Sequence, residues 1–231
     1  FILSKSQLIL VKIALKFSLF FRLITKITPT LIRKNEKLIE TSSINVSKGL
    51  FFKIKYVEGF FQSESFINDK PIIKTNIINQ AVEYINNLKP DSINIFIHIR
   101  EGDYNSYKVY NKSVKLEDEY FFEGIKFFNE KYKNVVFIFI SDDIAITKKR
   151  FDSVTNSVFV SQSIYFDFAL MTLCKGGIIS NSSFSWWGAY LIKDPLTIIA
   201  PKYWLGWRSK KWYPIGIFNK NFNYIINNDE D

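Results

Sequence analysis

Apolar and polar positions in the carboxyl-terminal two-thirds of the chain switch back and forth between a two-residue period and a helical one. Ile93, Ile95 and Ile97 alternate with Asn94, Phe96 and His98, and Gly102-Asp103 closes the run, which predicts a strand delivering polar groups to a turn. Ahead of it, residues 76–88 carry Ile77, Ile78, Ala81, Val82, Tyr84, Ile85 and Leu88 at helical spacing, and Pro90 ends the helix. After an aromatic and polar loop over 104–114, helical spacing returns at 116–131, with Glu117, Asp118 and Glu119 placed where a helix amino terminus favours carboxylates. The apolar run 135–140 predicts a buried strand that empties into Ser141-Asp142-Asp143, and 157–160 predicts a shorter one. Asp167 opens an apolar helix through Leu173 and Cys174, stopped by Gly176-Gly177; Ile178-Ile179 is a strand, 184–191 a helix, and 196–200 a strand closed by Pro201. Strand and helix alternate without an internal repeat, so the expected class is α/β, with a doubly wound parallel sheet forming a Rossmann-like nucleotide domain over residues 91–231.

Residues 1–90 read differently. Between 5 and 26, Lys5, Lys12, Lys16, Arg22 and Lys26 occur with no acidic residue among them. On a helical wheel they fall within a stripe of roughly 120°, the remainder being mostly apolar. Such a helix suits a peripheral position on an anionic membrane, or equally a place against its own domain with the basic stripe in water. The bases recur through the run, unlike a secretory signal, and no apolar stretch approaches the ~20 residues needed to span a bilayer. Residues 29–50 are polar and broken by Pro29, 51–61 begin with strand-like alternation, and 62–66 start a helix or turn. Residues 1–90 are therefore expected to be an amino-terminal region of their own, an incomplete domain.

Composition sharpens the picture in two places. The 231 residues carry a formal charge of +9, but residues 1–60 hold 11 Lys and Arg against 3 Asp and Glu. The rest of the chain is close to neutral, so nucleic acid is not the expected partner, and the basic end is a local surface. One cysteine, Cys174, excludes an internal disulfide and, with one histidine, leaves no material for a structural zinc site. The expected location is cytoplasmic, peripheral at the inner face of a membrane.

Candidate chemistry gathers at strand ends, where open α/β sheets bind ligands. His98 and Arg100 share one side of the first strand and stand near Asp103. Arg100 is always charged and grips two phosphate oxygens at once, stabilising a leaving diphosphate. Ser182 and Ser183 precede a helix whose free N–H groups make a phosphate seat, and the Asp167 carboxylate suits the ring N–H donors of guanine. Each residue also has a plainer reading: His-x-Arg as a surface pair, Asp142, Asp143 and the serines as helix caps, Trp186 and Trp187 as core anchors instead of sugar platforms. With no Asp-x-Asp at 142–143 and Arg100 to carry positive charge, activity independent of any metal is expected.

These residues resemble the bacterial α-1,2-fucosyltransferases of glycosyltransferase family 11. The matching stretches are Gly59-Phe60-Phe61-Gln62-Ser63-Glu64, His98-Ile99-Arg100-Glu101-Gly102-Asp103-Tyr104, Phe139-Ile140-Ser141-Asp142-Asp143 and the Asn181-Ser182-Ser183-Phe184-Ser185-Trp186-Trp187-Gly188-Ala189 block, with Ile199 to Trp204 extending the match. The resemblance implies a GT-B scaffold and an inverting transfer of fucose from GDP-fucose to a hydroxyl of a galactose-terminated, possibly lipid-linked glycan acceptor. It places His98 and Asp167 at the guanosine, Arg100 at the β-phosphate, Asn181, Ser182, Ser183 and Phe184 along the diphosphate, Asp142 and Asp143 near the nucleotide, and residues 62–66 on the acceptor side. Asp103 and Glu101 are the nearest candidates for a general base. Another donor sugar, or an inactive sugar-nucleotide or glycan-binding module, stays open. Two departures stand out. Family members usually have Arg-Arg where this chain has Arg100-Glu101, and their glycine-rich donor loop is not among these residues, so a protein starting at Phe1 is expected to bind donor poorly.

Overall fold

The structure, a computed structural model, describes residues 71–226 together with Glu64 and Ile67. The chain divides between Phe66 and Ile67, and the fold below belongs to the second unit, Ile67–Asp231. The basic run at 5–26, the loop at 29–50 and the strand expected at 51–61 lie outside the described residues, as does nearly all of the 62–66 segment.

Helix α1 (Thr75–Asn86) leads into β1 (Ile93–Ile99), followed by a small antiparallel hairpin, β2 (Lys108–Val109) and β3 (Lys112–Ser113). Then come α2 (Asp118–Lys131), β4 (Val135–Ser141), α3 (Ile144–Arg150), β5 (Ser157–Val160), α4 (Ile164–Leu173) and β6 (Gly176–Ile179). The chain finishes with α5 (Ser183–Tyr190), β7 (Thr197–Pro201) and β8 (Asn223–Ile225). Six strands form one sheet in the order β5-β4-β1-β6-β7-β8, every neighbouring pair parallel. Counting only these strands the order is 3-2-1-4-5-6, the dinucleotide-fold arrangement, and the winding reverses between β1 and β6.

The expected doubly wound parallel sheet is therefore present, with a core on each face. Ile95, Ile97 and Ile99 of β1 pack with Tyr120, Phe121, Ile125 and Phe128 of α2; on the other face Phe96, Ile138 and Ile140 meet Ala169, Leu170 and Met171 of α4 and Trp186 of α5. The period-two alternation in β1 thus separates two buried faces, because a central parallel strand is covered by helices on both sides. Trp186 takes the core-anchor reading: it is buried, stacks on Tyr190 and donates its indole N–H to the Ile217 carbonyl.

Helix α1 belongs with this unit, since Tyr84 meets Phe166 of α4 edge-on; the boundary expected near residue 90 falls inside the unit. Gly176 and Gly177, read from sequence as a helix stop, instead form the first half of β6. A side chain at Gly176 would put Cβ 2.6 Å from the Thr197 carbonyl oxygen, and one at Gly177 would run into the Phe96 ring. Close strand packing, not helix termination, demands glycine there. The helix is already closed at Cys174, and Ser163, not Asp167, caps its start by accepting the Phe166 N–H.

Candidate active site

The carboxyl ends of β1 and β6 lie side by side at the point where the winding reverses, and the register pairs His98 with Ile179. His98 is buried, and its Nδ1 is 2.8 Å from the Ser180 hydroxyl, a hydrogen bond whose direction depends on the imidazole tautomer. Burial, aided by the Arg100 charge, pushes the imidazole down to about 3, so it is neutral at working pH. Its ring lies 5.5 Å from Phe184, which in turn sits 5.4 Å from Phe168 of α4. Asp167, the neighbour of Phe168, is buried in the first turn of α4, where its carboxylate accepts the Gln162 N–H and burial raises its pKa.

Arg100 stands just beyond β1, about one-third exposed. Its Nε and Nη2 both donate to Asp103 Oδ1, at 2.9 and 2.8 Å, and its Nη1 reaches Asp142 Oδ2 at 3.0 Å. Asp142 also accepts the Glu101 N–H at 2.8 Å, and a side chain at Gly102 would meet its carboxylate at 2.6 Å. That loop is thereby drawn tightly onto the end of β4. Asp143 does something else: its carboxylate accepts the Ile146 N–H and caps α3, a bond of about 1 kcal/mol. The structure thus separates the adjacent aspartates, Asp142 beside Arg100 and Asp143 at a helix start.

Across the switch point, Asn181 is buried and donates through Nδ2 to the Val114 carbonyl at 2.8 Å, while its own carbonyl accepts the Tyr104 hydroxyl at 2.8 Å. Ser182 occupies the N-cap position of α5 without making a side-chain capping bond, and Ser183 begins the helix, exposed. Ser182 and Ser183 thus open α5 directly after β6, the strand beside β1, and the first-turn N–H groups of a helix have no partner within it. The structure brings His98, Ser180 and Phe184 into one cluster at the end of β1 and Arg100, Asp103 and Asp142 into another just beyond it.

Glu101 was named from sequence only as a possible base. Its carboxylate is 2% exposed and ion-paired to Arg150, which also pairs with Asp118, and to Lys115 at 2.8 Å. A carboxylate so enclosed does not reach an acceptor hydroxyl, whereas Asp103, 64% exposed, stands at the surface. Lys115, Arg150 and Ser180 were missed because they come from three separate segments, two loops and the end of α3; only the strand order shows that those segments meet. Among the described residues, no cluster of three metal-ligating side chains occurs.

A family model for glycosyl transferase family 11 matches residues 28–226, most of the chain and every strand of the sheet. The chain belongs to glycosyltransferase family 11. It is 32% identical over 163 residues to an α-1,2-colitosyltransferase of Escherichia coli, a match covering 63% of this chain and 54% of the relative. It is 31% identical over 121 residues to the O-antigen biosynthesis glycosyltransferase WbnK of Escherichia coli, covering 49% and 40%. Galactoside α-(1,2)-fucosyltransferase 2 of Pongo pygmaeus is 30% identical over 114 residues, covering 46% and 33%. The chain thus spans about a third to a half of the length of these curated relatives. Among solved structures, a NodZ α-1,6-fucosyltransferase soaked with GDP-fucose aligns over 52% of this chain and 42% of its own, at 12% identity and a TM-score of 0.37.

Proposed function

We propose that this family 11 chain carries the donor site of an inverting transferase that moves fucose from GDP-fucose onto a hydroxyl of a galactose-terminated glycan in α-1,2 linkage. The observation that carries this reading is the placement of Arg100 at the reversal point of the sheet, where it gathers with Ser180 and Asn181 at the end of β6, just ahead of α5. In a single displacement the acceptor oxygen bonds to the anomeric carbon as the bond from that carbon to the β-phosphate oxygen breaks. The electron pair leaves with GDP, and Arg100, already oriented by Asp103 and Asp142, stabilises the charge that collects there. In this scheme Asp103, an exposed carboxylate beside Arg100, takes the hydroxyl proton. Neutral His98 and buried Asp167 form the guanosine side, with Phe184 between His98 and Phe168. The α-1,2-colitosyltransferase among the relatives favours one second reading: the same reaction with colitose as the sugar transferred.

The cationic run at 5–26 is proposed to hold the enzyme at the cytoplasmic face of a membrane, where a lipid-linked acceptor would be presented. Side-chain cations at the sheet edge, Arg100 first among them, take the place of a divalent cation, so the reaction is metal-independent. Transfer assayed with GDP-fucose and a galactoside acceptor, in excess chelator, tests the scheme. Arg100→Ala is expected to lower turnover by two to three orders of magnitude, as loss of one transition-state donor does, with an unchanged melting transition. Near-normal turnover in that variant removes the mechanism; activity lost in chelator and restored by manganese removes the metal independence.

A further inference from the structure

Arg100 alone is a poor match for a diphosphate. Its single positive charge already faces two carboxylates, Asp103 and Asp142, so the rim of β1 by itself carries more negative than positive charge. A ligand bearing two or more negative charges needs a further cation at the same place. At the ends of β1 and β6 the side chains of Arg100, Glu101, Lys115, Arg150, Ser180 and Asn181 gather over buried Ile99, Leu116 and Phe121. Arg150 is the more enclosed of the two other cations and is shared between Glu101 and Asp118. Lys115 is 34% exposed.

We propose that Lys115 is a second cation for the donor's diphosphate, held at the switch point by Glu101; this rests on the donor-site reading above. Its backbone is fixed there from both sides. The carbonyl of Val114 accepts the Asn181 amide at 2.8 Å and the Trp207 indole N–H at 3.1 Å, and Leu116 is buried in the core beneath α2. Between these anchors the Lys115 side chain reaches Glu101 Oε2 at 2.8 Å and Asn105 Oδ1 at 3.0 Å. An ammonium has three N–H donors, so these two acceptors orient the group and leave a third donor for a phosphate oxygen. Glu101 is thereby a positioning residue: buried, paired with Arg150, and aiming a flexible lysine that would otherwise wander in solvent.

The test compares GDP with GMP, which lacks the terminal phosphate, by calorimetry on the full protein. Lys115→Met is expected to weaken GDP binding roughly tenfold, the worth of one charge-assisted bond, and GMP binding less than twofold. Lys115→Arg is expected to recover most of the loss. An unchanged GDP affinity, or an equal loss for both nucleotides, overturns the proposal. Should the methionine variant fold poorly, acetic anhydride labelling of the unaltered protein, read by peptide mass spectrometry, asks the same question. GDP protects Lys115 and GMP does not if the proposal holds; labelling indifferent to GDP rejects it. GDP bound in an Arg100-dependent way with Lys115 unprotected sinks this inference alone, whereas a protein that takes no GDP sinks the donor-site reading with it.

Discussion

His98 shows how one position constrains the chemistry around it. A buried imidazole held neutral by its surroundings offers a hydrogen-bonding edge without a second positive charge beside Arg100. The same burial ties stability to pH. With the folded-state pKa near 3 and an unfolded value near 6.5, the unfolded chain binds the extra proton between those limits. The contribution is complete above pH ~6.5 and drains away toward pH 3 at up to about 1.4 kcal/mol per pH unit. Asp118 and Asp167, whose pKa values are raised by burial, act in the opposite sense, because their folded forms hold protons longer as pH rises. Comparing the protein with His98→Gln cancels those two. Urea midpoints from pH 7 to pH 4 are expected to fall more steeply for the unaltered protein, and parallel curves would show that His98 does not carry the effect.

Among the elements, β6 does most to assemble the site, because it pairs with β1 on one edge and β7 on the other and releases the chain into Ser180 and Asn181. Its two glycines allow that close pairing. Gly177→Ala is expected to cost about 1–3 kcal/mol, since the new methyl must displace the buried Phe96 ring, and urea denaturation reads the loss directly. An unaltered midpoint would mean the strands have slack. The same strand marks where reading the sequence fails. Apolar runs such as 135–140 and helical spacings such as 116–131 declare their elements locally, and both stand within two residues of where they were expected. Gly176 and Gly177 do not, because the reasons for them, Thr197 on β7 and Phe96 on β1, lie on neighbouring strands far off in sequence. β8, three residues long, offers no period to read and was not anticipated. At the site, Arg100, Asp103 and Asp142 could be named from their motifs and do come together. Asp143 takes the helix-cap reading that the sequence offered for it, whereas Glu101 lies buried under Lys115 and Arg150, because ion pairing between distant segments has no signature along the chain.

For the molecule as a whole, the arrangement of charge separates two tasks. The family match begins at residue 28, immediately after the last base of the 5–26 run, so the cationic segment lies outside what this chain shares with the family model. The residues proposed for the donor site, His98 to Phe184, lie in the second unit. If residues 5–26 serve a membrane surface, removing residues 1–27 should abolish retention on vesicles containing anionic lipid while leaving GDP affinity and the melting transition as they were. Each base near such a surface contributes about 1 kcal/mol, and an apolar face adds to it, so five together suffice for a loss of more than tenfold. Retention by the undeleted protein should also weaken sharply as salt rises, because surface attraction is screened within a Debye length of about 10 Å at 0.1 M. Vesicle flotation at two salt concentrations, paired with GDP calorimetry, separates the outcomes. Unchanged flotation after deletion assigns the basic stripe to solvent. Loss of GDP binding together with a lowered melting transition assigns the segment to the packing of the enzyme itself.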